Sequence, residues 1–158
     1  MVKVLIADKM SRLAESVFKE RGVECDVATN LSNDELIKVI KDYDGLAIRS
    51  ATKVTAQVIE AGKMLKVVGR AGIGIDNIEL GEATQKGIVV MNTPFGNAIT
   101  TAEHTISMML ATARTIPQAN SSTHMGLWEK SRFMGVEVTA KVLGLIGCGN
   151  IGLSLIHI

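Results

Sequence analysis

Short aliphatic runs alternate with segments of helical period through roughly the first hundred residues. "VKVLIAD" predicts a strand ending in Asp8. "MSRLAESVFKERG" then sets Leu13, Ala14, Val17 and Phe18 on one helical face and stops at Gly22. "VECDVA" predicts a second strand. "LSNDELIKVIKD" predicts a helix opened by a capping box, Ser32 to Glu35, with Leu31 and Leu36 placed to staple its first turn. "YDGLAIRS" predicts a third strand, "TAQVIEAG" a short helix closed by Gly62, and "LKVVGR" a fourth strand. "DNIELGEATQKG" predicts a helix opened by a second box, Asp76 to Glu79, and closed by Gly87; "IVVMN" predicts a fifth strand. Strands separated by helices imply right-handed crossovers in one parallel sheet. Residues 1–98 therefore read as a doubly wound α/β domain of flavodoxin-like order.

After residue 98 the pattern changes. "TTAEHTISMMLATARTI" predicts a longer helix with Ile106, Met109, Leu110 and Ala113 on one face. Met108 and Ala111 lie elsewhere on its surface, so apolar character nearly encircles it. Such a helix requires cover on more than one side. "PQANSSTHMGLWEKSRFMGVEVTA" is polar and irregular and predicts a connector with one or two helical turns at most. Within it Trp128 reads as an anchor holding the connector to a domain surface, and Lys130 and Arg132 as a solvated face. "KVLGLIG" predicts a further strand, and "LSLIHI" a helix start that is poorly ordered or packed on a neighbour.

Composition narrows the class. Aromatic residues make up 3% of the chain, so the core is built from aliphatic side chains, which favours buried parallel strands. A net charge of +1 provides no bulk attraction to nucleic acid or to an anionic membrane. No apolar run reaches the length of a membrane span. Cys25 and Cys148 share no CxxC spacing, which fits a reducing, cytoplasmic compartment. The opening "MVKVLIADKM" carries an Asp inside its apolar stretch and does not read as a secretion signal.

Ligands of open α/β sheets bind beyond the carboxyl ends of the strands. The third strand ends in Arg49 and Ser50, the fourth in Arg70 followed by "AGIG", the fifth in "NTPFGN". Two arginines and a glycine-rich turn make an anion site, with guanidinium forks for carboxylate or phosphate and backbone N–H groups for a cradle. The competing reading pairs these arginines with neighbouring carboxylates and leaves the glycines to make the turn. "GCGNIG" places Gly147, Gly149 and Gly152 in the pattern that carries a dinucleotide pyrophosphate to a helix N-terminus. The acidic residue that would bind the ribose falls beyond Ile158, so NAD and NADP are not separated. His104, His124 and His157 have no metal-ligand spacing; no metal site is expected, and His104 reads as structural. Asp8 alone makes no acid–base pair.

Five blocks, "LAIRSATKVTAQVI", "LKVVGRAGIGIDNI", "GIVVMNTPFGNAITTAEH", "WEKSRFMG" and "KVLGLIGCGNIG", together resemble the NAD-dependent D-2-hydroxyacid dehydrogenases, in particular their branch acting on 3-phosphoglycerate. The resemblance runs from about residue 2 to Gly152. It implies a flavodoxin-like substrate domain over 1–98, an interdomain and dimer-forming helix with its connector over 99–141, and the start of a Rossmann domain over 142–158. By position it implies Arg49, Ser50, Arg70, Gly72, Ile73 and Gly74 on the substrate side. Ile73 also falls where the family meets the nicotinamide, often with Thr. Gly147, Gly149, Asn150, Ile151 and Gly152 match the loop over the pyrophosphate, with Asn150 where Arg is common. The implied reaction is hydride transfer between 3-phosphoglycerate and NAD in serine biosynthesis, by a cytoplasmic homodimer or homotetramer. Its Arg, Glu and His trio is expected outside these residues, so no catalytic residue is assigned and the chain is expected to be inactive alone. Two other readings stand beside it: a D-2-hydroxyacid dehydrogenase of an unphosphorylated substrate, and a non-catalytic binding or regulatory module.

Overall fold

Five short β-branched and aliphatic runs become five parallel strands: β1 (Lys3–Ile6), β2 (Glu24–Val27), β3 (Gly45–Ile48), β4 (Val67–Arg70) and β5 (Val89–Asn92). Their order in the sheet is β2-β1-β3-β4-β5, the doubly wound arrangement expected from the pattern. The computed structural model describes residues 2–158, which divide into two compact units between Gly96 and Asn97.

One face of the sheet is covered by helices over its central strands. Alternate residues Leu5, Leu46, Ile48 and Val68 point into a core shared with α2 (Asn33–Val39), α3 (Ala56–Ala61) and α4 (Leu80–Gln85). Those helices contribute Leu36, Val58, Ile59 and Ala83, all essentially inaccessible. The first capping box is present: Ser32 Oγ accepts from the Glu35 N–H at 3.3 Å and the Ser32 N–H donates to Glu35 Oε2 at 2.8 Å. The Ser32 hydroxyl, and then its N–H, hold the Glu35 carboxyl below its ordinary range. Leu31 and Leu36 both join the core at the helix entry. Ser32→Ala removes the side-chain half of this cap and is expected to cost about 1 kcal/mol in denaturant unfolding.

The second box does not form. Residue 79 is the N-cap of α4 and makes no side-chain capping bond. The preceding residues are held by a bridge to the β3–α3 loop: the Val54 N–H donates to Asn77 O at 2.8 Å and the Glu79 N–H to Val54 O at 3.0 Å. With its N–H committed there, Glu79 cannot be the third residue of a helix starting at Asp76. The helix begins three residues later than the pattern suggests.

The opposite face carries α1 (Leu13–Glu20) and is only partly covered. Val4 and Ile6 are buried, but α1 buries none of its residues, and Leu13 is 67% exposed. The predicted apolar stripe instead lines a groove of about 450 Å³ between Leu13, Val17 and Phe18 of the helix and Ala47, Gly69 and Met91 of the sheet. At the amino ends of the strands, Lys3 Nζ lies 2.8 Å from Asp26 and the Tyr43 hydroxyl donates to Asp26 at 2.7 Å. Lys3, and then Tyr43, hold the Asp26 carboxyl below its usual range. This polar cluster sits at the end of the sheet remote from the carboxyl-end loops.

The second unit is helical. α5 (Ala98–Ala113) ends three residues before the sequence pattern does, because Thr115 adopts a left-handed conformation at φ 50°. α6 (Ile116–His124) follows, where the sequence predicts an irregular connector. Pro117 sits in its first turn, where a missing N–H is harmless, so the proline opens a helix rather than preventing one. Trp128 is not the anchor of the connector: it is 79% exposed. The connector is held instead by Glu129, which accepts from the buried Ser122 hydroxyl at 2.7 Å and from Arg132 Nη1 at 3.1 Å. The predicted strand over 141–147 is absent, and Val142 and Ile146 are almost fully exposed. An aliphatic run becomes a strand only when a neighbour accepts its backbone bonds, and no strand exists in this unit among the described residues. α7 (Asn150–His157) does form and packs on α5.

Candidate functional site

The loop leaving β3 is organised by two side chains from elsewhere in the first unit. Asp8, at the end of β1, is 6% exposed. Its Oδ2 accepts from the Arg49 N–H at 2.6 Å and the Thr52 N–H at 3.2 Å, while Oδ1 accepts from the Thr52 hydroxyl at 2.8 Å. Asn77, in the turn before α4, approaches from the other side. Its Nδ2 donates to Arg49 O at 2.8 Å and to Thr52 O at 2.6 Å. The carboxylate thus serves as a structural acceptor for the loop.

Arg70 ends β4 with its side chain 11% exposed. Its Nε donates to Arg49 O at 3.3 Å, its Nη1 donates to Gly74 O, and Asp76 lies 4.0 Å from Nη2. The glycines that follow have a steric role the pattern alone does not reveal. Neither Gly72 nor Gly74 has a positive φ. A Cβ at Gly72 would lie 3.2 Å from Arg70 Nη1; one at Gly74 would lie 3.0 Å from the same atom and 2.8 Å from Asp76 Oδ1. The glycines make room for the guanidinium, which curls under its own turn. The structure therefore realises part of the competing reading: Arg70 is partnered by carbonyls and a neighbouring carboxylate.

The turn is further fixed by its own backbone. The Ala71 N–H donates to Ile48 O, the Thr93 N–H donates to Gly72 O, and Asn92 Nδ2 donates to Ile73 O. Among the described residues, the N–H groups of Ile73 and Gly74 are left without an acceptor. Arg49 is exposed and its guanidinium makes one long bond, 3.4 Å, to Lys9 O. A polar recess of about 350 Å³ opens beside Ser50, with Lys53, Asp76, Asn77 and Glu79 on its walls. Arg49, Arg70 and the turn around Ile73 are thus gathered at the carboxyl ends of β3 and β4, and Ser50 lies on the adjoining recess. The exposed Arg49 guanidinium, on the β1 side of β3, and the unengaged Ile73 and Gly74 amides, in the turn after β4, are each groups that suit a small anion. The first unit contains no imidazole to exchange a proton with it, since all three histidines follow Gly96.

Gly147 has φ +97°, a conformation that side chains rarely adopt. A Cβ on Gly152 would fall 2.5 Å from Gly147 O, so the loop turns tightly against the first turn of α7. Gly149 is the N-cap of α7 and faces open space, and Asn150 and Ile151 begin the helix. The pattern has its helix but lacks its strand. His104 is exposed on α5, and His124 Nδ1 lies 3.0 Å from Asn120 O within α6.

The sequence pattern does not single out Asn77 and gives Asp8 too little weight. It places Asp76 and Asn77 in a helix cap, and the signal that distinguishes a loop brace from a cap is three-dimensional.

A family model for the catalytic domain of D-isomer specific 2-hydroxyacid dehydrogenases matches residues 4–148. The chain is 50% identical over 151 residues to D-3-phosphoglycerate dehydrogenase of Archaeoglobus fulgidus, covering 96% of this chain and 29% of that protein. It is 49% identical over 150 residues to D-3-phosphoglycerate dehydrogenase of Homo sapiens, covering 95% of this chain and 28% of that protein. The chain thus spans less than a third of the length of these relatives. Among solved structures, it resembles a Thermus thermophilus protein with TM-score 0.89 and 28% identity, over 99% of this chain and 52% of the other. It also resembles NAD+-bound 3-phosphoglycerate dehydrogenase of Entamoeba histolytica, with TM-score 0.79 and 29% identity, over 99% of this chain and 49% of the other.

Proposed function

The chain belongs to the D-isomer specific 2-hydroxyacid dehydrogenase family, and from that premise we propose that its first unit is the anion-binding part of a 3-phosphoglycerate dehydrogenase. One observation carries the reading: beyond the carboxyl ends of adjacent strands the Arg70 side chain is tied to the Arg49 carbonyl, beside a turn whose Ile73 and Gly74 N–H groups are unengaged. A guanidinium and two amides suit the carboxylate or phosphate of a phosphorylated 2-hydroxy acid. Ser50 extends the site into the polar recess. Likeness to the D-3-phosphoglycerate dehydrogenases supports the substrate class.

The tight Gly147–Gly152 loop fits a dinucleotide pyrophosphate: Gly147 and Gly152 allow the close turn, Gly149 keeps the approach bare, and Asn150 and Ile151 lead into α7. NAD, when bound, supplies the hydride acceptor. The residues of this chain bind and orient. Asp8 is fully engaged in holding a loop, and the first unit carries no histidine, so these residues alone are expected to bind substrate without turning it over.

Titration of the chain with 3-phospho-D-glycerate, followed by NMR, tests the reading. Saturable shifts at Arg49, Ile73 and Gly74 are expected, with Arg49→Ala weakening binding by at least about tenfold. Equal affinity for unphosphorylated glycerate would favour the alternative substrate class. NADH formation by the chain alone would refute the non-catalytic part.

A further inference from the structure

We infer that Asp8 and Asn77 are positioning residues that pre-set the anion site by gripping the Arg49–Thr52 loop from both sides. This deepens the proposed function and rests on its placement of Arg49 in that site. No backbone bond joins residues 49–53 to one another. Arg49 and Thr52 nevertheless have both their N–H and their carbonyl groups bonded, all through side chains from outside the loop. Asp8 takes the two N–H groups and the Thr52 hydroxyl, and Asn77 takes the two carbonyls. Carboxylate and amide are complementary in this grip, since the first is wholly acceptor and the second uses both hydrogens of its NH2 group.

The amide orientation of Asn77 is fixed by the same contacts. Turning it over would place Oδ1 against two carbonyl oxygens. In the orientation that serves the loop, Oδ1 is buried without a partner. A buried unsatisfied acceptor is uncommon and calls for an explanation. Here the structure tolerates an unpaired oxygen to keep two donors on the Arg49 loop. Arg70 adds a third tie, since its Nε also donates to Arg49 O. The peptide groups of Arg49 are thus held from three places: Asp8 after β1 takes its N–H, while Arg70 of β4 and Asn77 before α4 both donate to its carbonyl, and together they determine where the exposed guanidinium stands.

The loop is assembled without ligand, so binding should not have to order it. Asn77→Ala removes the orphaned oxygen with the two donors; Arg49 O keeps its bond from Arg70 while Thr52 O loses its donor, so a modest fall in melting temperature is expected. Binding of 3-phospho-D-glycerate is expected to weaken by about tenfold. Hydrogen exchange at the Arg49 and Thr52 amides should accelerate, with Val68 unchanged. Coupling provides the decisive readout: a positioning role makes Arg49→Ala/Asn77→Ala bind no more weakly than Arg49→Ala alone. Full additivity in that cycle, unchanged exchange at Arg49 and Thr52, or wild-type affinity in Asn77→Ala would each overturn the inference. If Arg49→Ala weakens binding while Asn77→Ala does not, the site reading survives and the positioning role fails. Absence of binding by the wild-type chain removes both.

Discussion

Arg70→Met should weaken 3-phospho-D-glycerate binding by about a hundredfold, while lowering the free energy of unfolding by only about 1 kcal/mol. The difference between these two effects follows from the surroundings of the guanidinium. On the stability side little is stranded. Arg49 O keeps its bond from Asn77, and Gly74 is exposed enough for water to replace the lost donor. On the binding side the turn loses the group around which it is wrapped, since Gly72 and Gly74 leave room for the guanidinium. The anion site would then lose a positive charge and the strut joining the Arg49 carbonyl to the Gly74 carbonyl. Arg70→Lys separates these roles. Lysine keeps the charge but cannot place separate, rigidly oriented donors on two carbonyls and face Asp76 as well. A strut predicts that Arg70→Lys binds nearly as poorly as Arg70→Met. A simple point charge predicts recovery of most of the affinity. Gly74→Ala should resemble Arg70→Met, because the new Cβ meets both Arg70 Nη1 and Asp76 Oδ1. Calorimetric titration of the three variants beside the wild type decides the matter.

The first unit is readable from sequence because its signals are local. Short aliphatic runs, with helix stops at Gly22, Gly62 and Gly87, mark the strands, and repeated crossovers make them parallel; the order β2-β1-β3-β4-β5 is set by the packing. Where the pattern misleads, the deciding contact is distant in sequence. Asp76 to Glu79 has the spacing of a cap, but Val54 takes the Glu79 N–H. "KVLGLIG" has the composition of a buried strand, but a strand is defined by its partner. Leu13 and Val17 have helical spacing, but periodicity does not say whether anything covers them. At the site, Arg49, Arg70 and the glycine turn are legible as residue types at strand ends. Their division of labour is not. That Gly72 and Gly74 accommodate a guanidinium, rather than supply a positive φ, is visible only when a Cβ is placed on them.

Asp8 provides the second large effect, and its two substitutions should move in opposite directions. Asp8→Ala strands the Arg49 and Thr52 N–H groups and the Thr52 hydroxyl in a region where the carboxylate is 6% exposed. Loss of a charged acceptor serving three donors is expected to cost about 3 kcal/mol. Asp8→Asn can keep most of this geometry. Its carbonyl oxygen replaces Oδ2 as acceptor of the two N–H groups, and its amide donates to the Thr52 hydroxyl, which accepts as readily as it gives. A cost of about 1 kcal/mol is expected, reflecting the loss of charge assistance. Anion binding sharpens the contrast. Asp8 places a negative charge beside a site proposed to hold a ligand with both a carboxylate and a phosphate, so charge alone predicts that both variants bind more tightly than wild type. Positioning predicts that Asp8→Ala binds about tenfold more weakly because the loop is released, whereas Asp8→Asn retains or exceeds wild-type affinity. Denaturant unfolding and titration of the two variants separate these effects. If Asp8→Ala bound more tightly than wild type, the carboxylate would be a repulsive bystander and not the inner half of the brace.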